Sequence, residues 1–255
     1  MRPYKIVRTR RMCLLYKKNR YLCRNRITIF FMEDVMTFLN GILKNNNRPW
    51  FQEHKDLYLK AQNHINEMTV ELIDGISKFD SSIKNLSVKD CTYRIYRDIR
   101  FSPDKRPYKT HMGIYVCPQG KKSGLAGYYL HFEADGSEYL GLNGLYTGMY
   151  NPDKNALKNI REDICYDGAA FEDAIKKAKN FTLDTSCSLS KTPKDFPKDS
   201  PYDYLLRLKQ YNLIQPLPGG MLHSKHLIEW ALEEFKSSLD FNNLLNRAAT
   251  FSIDS

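Results

Sequence analysis

Apolar and polar positions alternate along the chain with a period that changes twice, and those changes outline a fold. From Val35 to Leu43 apolar residues recur at helical spacing, and Asn45-Asn46-Asn47 ends the helix they predict. Asn47 is a good N-cap for a second helix, with Pro49 accommodated in its first turn. Along that second helix Trp50, His54, Leu57, Ala61, Ile65, Met68, Leu72 and Ile76 fall at three- and four-residue steps, the stripe of a long helix lying on a core. His54 sits on the stripe and so reads as a hydrogen-bonded core residue.

The period then shortens to two. Thr92–Phe101, Met112–Cys117, Gly127–Glu133 and Glu138–Leu145 read as four strands, the last two joined at Ala134-Asp135-Gly136. A two-residue Asp-Gly turn would set His131 opposite Leu140. A three-residue loop with Gly136 left-handed sets Leu130 opposite Leu140 and His131 opposite Tyr139, which gives each face one character and is the preferred register.

Beyond Asn151-Pro152 the helical pattern returns. Asp153–Ile164 and Ala169–Lys179 read as helices, Phe181–Leu183 as a short strand, and Lys191–Pro201, with its three prolines, as irregular. A helix at Tyr202–Gln210, a strand at Tyr211–Pro216, a Gly219-Gly220 turn and a helix from Ser224 to Leu239 complete the chain, with Asn242–Ala249 adding a last turn or two. Ser224 would cap its helix, and Leu227, Trp230, Ala231 and Phe235 would line the inner face. The pattern predicts an α+β fold. A mainly antiparallel sheet of about four to six strands is packed by N-terminal and C-terminal helices. No repeat or linker divides residues 32–255, which read as a single domain.

Composition changes the picture mainly at the N-terminus. The 255 residues are 42% hydrophobic, with 17 Tyr and 13 Phe, as in proteins that bury a full core. The net charge of +10 would suggest nucleic acid or an anionic membrane, but its location argues otherwise. Residues 1–31 hold ten Lys/Arg and no acid, and the remainder balances 29 basic against 29 acidic residues. The extension is Arg-rich like a transit peptide but lacks serine, and its apolar runs are too short for a membrane span or a signal-peptide core. Two readings stand for it: a basic arm for nucleic acid, or translated leader with Met32 as the true start. The second is preferred, because Met32-Glu33-Asp34-Val35 would then open the first helix.

Six scattered cysteines, with no CxxC and no zinc spacing, read as reduced thiols of a cytoplasmic protein. No metal site, cofactor motif or membrane partner is expected. His223-x-x-His226 reads as a surface pair at a helix start, and Gly141-x-x-Gly144 is too loose for a phosphate cradle.

The chemistry concentrates between Tyr93 and His111. Alternation places Tyr93, Ile95, Ile99 and Phe101 on one face of a strand, and Arg94, Asp98 and Arg100 on the other. Arg97 falls on the apolar side, where it requires a carboxylate or several carbonyls. The loop from Ser102 to Pro107 brings Lys105, Arg106, Tyr108 and Lys109 to the strand end. The same parity sets Met112, Ile114, Val116, Tyr128, Leu130, Phe132, Leu140 and Leu142 under the helices. His111, Tyr115, Tyr129, His131, Glu133 and Tyr139 then face the other way, beside the arginines. Guanidinium groups clamp phosphate or carboxylate and imidazoles move protons. This face therefore suits a small anionic ligand, with Arg94, Arg97, Arg100, Lys105, Tyr108 and Lys109 as ligand-binding residues and His111, His131 and Asp98 as proton carriers. The plainer reading is a solvated strand whose Asp98 merely neutralises Arg94 and Arg100. A nucleic-acid surface using Tyr93, Tyr96 and Tyr108, or a non-catalytic interaction module, are the further alternatives.

Several blocks resemble a known family. They are Asn45-Asn46-Asn47-Arg48-Pro49-Trp50-Phe51, Arg94-x-x-Arg97-Asp98-x-Arg100-Phe101-Ser102-x-Asp104-Lys105-x-Pro107-Tyr108-Lys109, Gly127-Tyr128-Tyr129-Leu130-His131-Phe132, and Pro193-Lys194-x-Phe196 with Leu205-Leu206-Arg207-x-Lys209. In order and over residues 36–240 they are similar to domain-of-unknown-function family 2461, a widespread, mainly bacterial group of hypothetical proteins. The resemblance implies an α+β fold of this length and no particular activity. His54 and Ser200 depart from the family's usual Asn and His, so the resemblance carries no catalytic role to either.

Overall fold

A computed structural model describes residues 32–250; the basic extension of residues 1–31 lies outside the described residues. Helix α1 occupies residues 32–44 and buries Val35, Phe38, Leu39 and Ile42, the positions that its spacing marks as apolar. Asn47 then caps α2 (Arg48–Glu53), its side chain accepting the Trp50 N–H at 3.0 Å, with proline in the first turn. The single long helix expected from Trp50 to Ile76 is instead two. His54 leaves helical geometry, stacks on the Trp50 ring at 4.2 Å and donates from Nδ1 to the Trp50 carbonyl, so α3 (Lys55–Ile76) starts afresh after it.

Five strands form one antiparallel sheet in the order β1-β2-β3-β5-β4: β1 His111–Val116, β2 Gly127–Glu133, β3 Gly144–Met149, β4 Thr182–Leu183 and β5 Tyr211–Pro216. The fold is α+β, as the pattern predicts. One edge ends in a two-residue strand, and the other meets the preceding segment only at the Thr92–Ile114 bridge. Short edges of this kind limit sheet-to-sheet association.

Two of the expected strands are corrected. Thr92–Phe101 is not a strand: it touches others at two isolated bridges, Thr92–Ile114 and Tyr96–Tyr108. After the short helix α4 (Val88–Cys91) this segment folds back on residues 107–109, through Arg97 N–H to Pro107 O and Lys109 N–H to Ile95 O, each 2.9 Å. Its backbone polar groups are thus met within a hairpin of its own.

The third strand lies at Gly144–Met149 rather than Glu138–Leu145, so Leu130 pairs with Leu145 and His131 with Gly144. Residues 134–143 form a loop instead. Asn143 accepts the Glu133 N–H, Glu133 accepts the Leu140 N–H, and Gly141 takes a left-handed φ of 80°. Leu140 is consequently 41% exposed, and neither it nor Leu142 joins the core as expected.

The remaining helices stand close to expectation. Helix α5 (Lys154–Lys177) is continuous in hydrogen bonding but kinked at Asp167, between the two helices its pattern suggested. The helix expected over Tyr202–Gln210 shrinks to α6 (Asp203–Leu206), because Lys209 N–H turns to the Cys187 carbonyl and the strand begins at Tyr211. Helix α7 (Leu227–Ser237) starts three residues after Ser224, which is not its cap but accepts the His226 N–H. His226 itself is exposed and bonds Glu229 at 2.7 Å. Helix α8 (Leu239–Thr250) follows directly.

Helices α3, α7 and α8 contact the sheet on one side, and α5 packs on α8. Met112, Ile114, Val116, Tyr128, Leu130, Phe132, Leu145 and Leu213 point into this layer, part of one apolar core running from Met32 to Ala248. Two buried polar groups are satisfied there. Thr147 bonds Ser238 and Asn242, and the Arg161 guanidinium donates to the carbonyls of Leu206 and Leu208. The opposite side of the sheet carries no helix among those contacts, and its strand positions define the site.

Candidate functional site

Alternation along each strand assigns the open face. Against the core rows stand His111, Gly113 and Tyr115 of β1, Tyr129, His131 and Glu133 of β2, Tyr146 of β3, and Asn212 and Ile214 of β5. Gly113 is required here: the Tyr129 ring lies across it, and any Cβ would collide with the phenol. The face forms the floor of a cavity of about 1260 Å³. The hairpin around Arg94–Lys109 walls one side, the loop carrying Glu138–Leu140 rims another, and Asp184 and Gln210 reach the far end.

The cations of the Arg94–His111 segment divide into two groups. Arg97 is 2.6 Å from Asp104 and also donates to the Arg106 carbonyl, which meets the demand its apolar-side position makes. Arg106 shares Asp104, and Arg100, three-quarters exposed, pairs with Asp98. The arginine hydrogen bonds hold Asp104 far below the ordinary carboxylate range and Asp98 down to about 2. Lys105 donates to the Ile99 carbonyl. These groups are a hairpin's internal clasp, and Arg100 and Lys105 do not line the cavity. Tyr108 is buried, its ring stacked on Phe51 at 4.2 Å and its backbone bonded to Asn46.

Arg94 and Lys109 differ. Both line the cavity, and among the described residues neither has a carboxylate partner. Lys109 lies over the Tyr93 ring at 5.3 Å, and burial together with the Arg94 charge lowers its pKa. The two cations repel one another, and Asp98, which also lines the cavity, feels the Arg94 charge without forming an ion pair with it.

Beside them His111 stacks on Tyr139 at 3.7 Å, and its buried Nδ1 has no hydrogen-bond partner among the described residues. Burial, reinforced by His131, Lys109 and Arg97, pushes its pKa down to about 3. His131 lies deeper, fully buried, and burial pushes it to about 3 as well. Its Nε2 is 3.2 Å from Glu133 Oε2, and its Nδ1 is 2.9 Å from the Tyr129 hydroxyl. A carboxylate only accepts, so Nε2 carries the proton and the Tyr129 hydroxyl donates to Nδ1. His131 does not line the cavity, whereas Tyr129, bonded to it, does. Burial raises the Tyr129 pKa well above 10.

Tyr146, Asn212, Asp184 and Gln210 were not among the residues singled out from sequence. Asn212 could have been: a polar side chain alternating with Tyr211 and Leu213 marks the non-core face of a strand. It is 8% exposed, and its side-chain amide makes no hydrogen bond among the described residues.

Among the described residues no helix is long and apolar enough to cross a membrane. Comparison with curated proteins and with solved structures finds no match to this chain. Residues 34–243 match the model of one family, described as conserved hypothetical protein (DUF2461), and span the hairpin, the sheet and the cavity alike. The chain belongs to that family.

Proposed function

We propose that the open face binds a small anion, a phosphate or a carboxylate. Arg94 and Lys109 are its charged clamps, and His111 supplies a neutral hydrogen-bonding nitrogen. The observation that carries this reading is that Arg94, Lys109 and His111 line one cavity, the two cations without a carboxylate at ion-pair distance and the His111 Nδ1 without a hydrogen-bond partner among the described residues. An unpaired buried polar atom costs about 1–3 kcal/mol, a cost that a partner reaching the imidazole past the stacked Tyr139 ring would offset. With both histidines neutral, binding strength comes from Arg94 and Lys109 and holds across neutral pH.

The paired cations hold the hairpin that presents the clamps. A nucleic-acid surface is less well supported: Tyr93 and Tyr96 are exposed, but Tyr108, the third tyrosine it would use, is buried in an aromatic cluster and cannot stack on a base.

Thermal-shift screening of the full chain against phosphate, phosphorylated metabolites and di- and tricarboxylates tests the proposal, with an Arg94→Ala/Lys109→Met variant beside it. Selective, saturable stabilisation of the wild type that the variant loses is expected. Equal responses from both proteins would overturn it.

A further inference from the structure

Beyond Arg94 and Lys109, a third cation lines the cavity: Lys121, on the loop that joins β1 to β2. The chain fixes it at both ends. Its backbone N–H donates to the Asp90 carbonyl at 2.8 Å, and its ammonium donates to the Lys89 carbonyl. Gly120, left-handed at φ 83°, lets the loop lie against Asp90, where a Cβ would come within 2.9 Å of that side chain. Lys121 is half-buried and held, so a ligand arriving there has less side-chain freedom to freeze.

Its bonded partner is a neutral carbonyl, which leaves the ammonium charge uncompensated. Among the described residues no carboxylate stands at ion-pair distance from it. Asp90 feels its charge, but that carboxylate is turned to the Ser87 N–H and hydroxyl, at 2.8 and 2.6 Å. Asp98 and Asp104 of the cavity lining are held by Arg100, Arg97 and Arg106.

Tyr93 ties Lys121 to the anion site. The Lys109 ammonium lies 5.3 Å from the centre of the Tyr93 ring and the Lys121 ammonium 5.7 Å. The two charges can be no farther apart than those lengths laid end to end, although β1 separates their backbones. Arg94 follows Tyr93 in the chain, and its charge reaches Lys109. An anion's oxygen sits about 2.7–2.9 Å from the nitrogen that binds it, so two acid groups a few bonds apart can meet both ends. A single phosphate between Arg94 and Lys109 leaves Lys121 uncompensated.

We infer that the natural ligand carries two anionic groups on a short spacer, one met by Arg94 and Lys109 and the other by Lys121. This rests on the anion reading and deepens it. Diphosphates and short dicarboxylates have that chemistry. Joining the two acid groups makes the second contact intramolecular, so the two-headed ligand gains affinity over either head alone.

The test is isothermal titration of the full chain with inorganic phosphate, pyrophosphate, acetate, and the dicarboxylates from malonate to adipate. Lys121→Met and Lys121→Arg are titrated in parallel, after their melting is compared with wild type. At least one two-headed probe is expected to bind about tenfold or more tightly than its one-headed counterpart. Pyrophosphate and the dicarboxylates are the arms that separate the two compound classes. Lys121→Met should lose most of the margin while keeping wild-type affinity for phosphate and acetate, and Lys121→Arg should retain it. In wild type, the Lys121 side-chain NMR resonance should shift saturably with the two-headed probe and stay still with phosphate, a readout that needs no variant to fold.

If no two-headed probe exceeds its counterpart, if Lys121→Met keeps the full margin, or if the Lys121 resonance does not respond, the inference is overturned and the anion site stands. If no probe binds, or if Arg94→Ala/Lys109→Met binds phosphate and acetate as wild type does, the anion reading falls with it.

Discussion

On one side of the sheet Ile114, Leu130, Phe132 and Leu145 are fully buried beneath helices, and Thr147, Ser238 and Asn242 among them pair with one another. On the other side the same strands carry His111, Tyr129, Tyr146 and Asn212 around a cavity, where two cations lack carboxylates within ion-pair distance and a histidine nitrogen lacks any partner among the described residues. A single residue of register separates the two sets. The first face pairs Thr147 with Ser238 and Asn242 and leaves only the Gln215 Oε1 without a partner among the described residues, whereas the second gathers two cations and an imidazole nitrogen that a fold alone would have paired. That contrast is the argument for function.

The largest expected effect sharpens the stable side. Phe132→Ala removes a fully buried ring and should cost about 3–5 kcal/mol in denaturant unfolding, with anion affinity of the folded protein unchanged. A parallel collapse in affinity would break the distinction between the faces.

Acid comes next. His111 and His131 are held at about 3 against an ordinary 6.5. Between those values the unfolded chain binds protons that the folded chain refuses, so stability rises with pH and is lost as acid is added. For fully buried His131 the loss is on the order of a few kcal/mol. Urea unfolding at pH 7.5 and pH 4.5 should show a marked drop in wild type and a smaller one in His131→Gln. Equal drops would mean that the open face is not built around a neutral imidazole.

Smaller again is Arg97→Ala. It removes the half-buried link to Asp104 and the Arg106 carbonyl, and should cost about 1–2 kcal/mol while loosening the hairpin that presents Arg94 and Lys109. Hydrogen exchange over residues 94–109 would register it. Least of all for stability is Arg94→Ala, within about 0.5 kcal/mol because the side chain holds nothing in place. A large thermal destabilisation there would make Arg94 a structural residue instead of a clamp.

How far this contrast could be read from the sequence depends on where period-two alternation coincided with strand pairing. It did in Gly127–Glu133 and Tyr211–Pro216, whose bounds match, and the side assigned to His111, Tyr115, Tyr129 and His131 followed from parity alone. It failed in Thr92–Phe101, where the alternation of Tyr93, Ile95 and Arg97 reflects a hairpin packing Ile95 inward and clasping Arg97 to Asp104. It failed again at Glu138–Leu145. There Tyr139 stacks on His111, and left-handed glycines at 136 and 141 shape a loop that only tertiary contacts select. The sorting of cations into paired and unpaired was likewise hidden. Which arginine meets Asp98 or Asp104 depends on turn geometry that spacing does not encode.

The central claim is that the unsatisfied groups of the open face form one anion site. Side-chain NMR of the arginine, lysine and histidine resonances during a titration with inorganic phosphate addresses it most directly. The account predicts saturable shifts at Arg94, Lys109 and His111 with a common dissociation constant, while Arg97, Arg100 and Arg106, held by Asp104 and Asp98, move little. Shifts spread evenly over all surface cations without saturation, or none at His111, would contradict it.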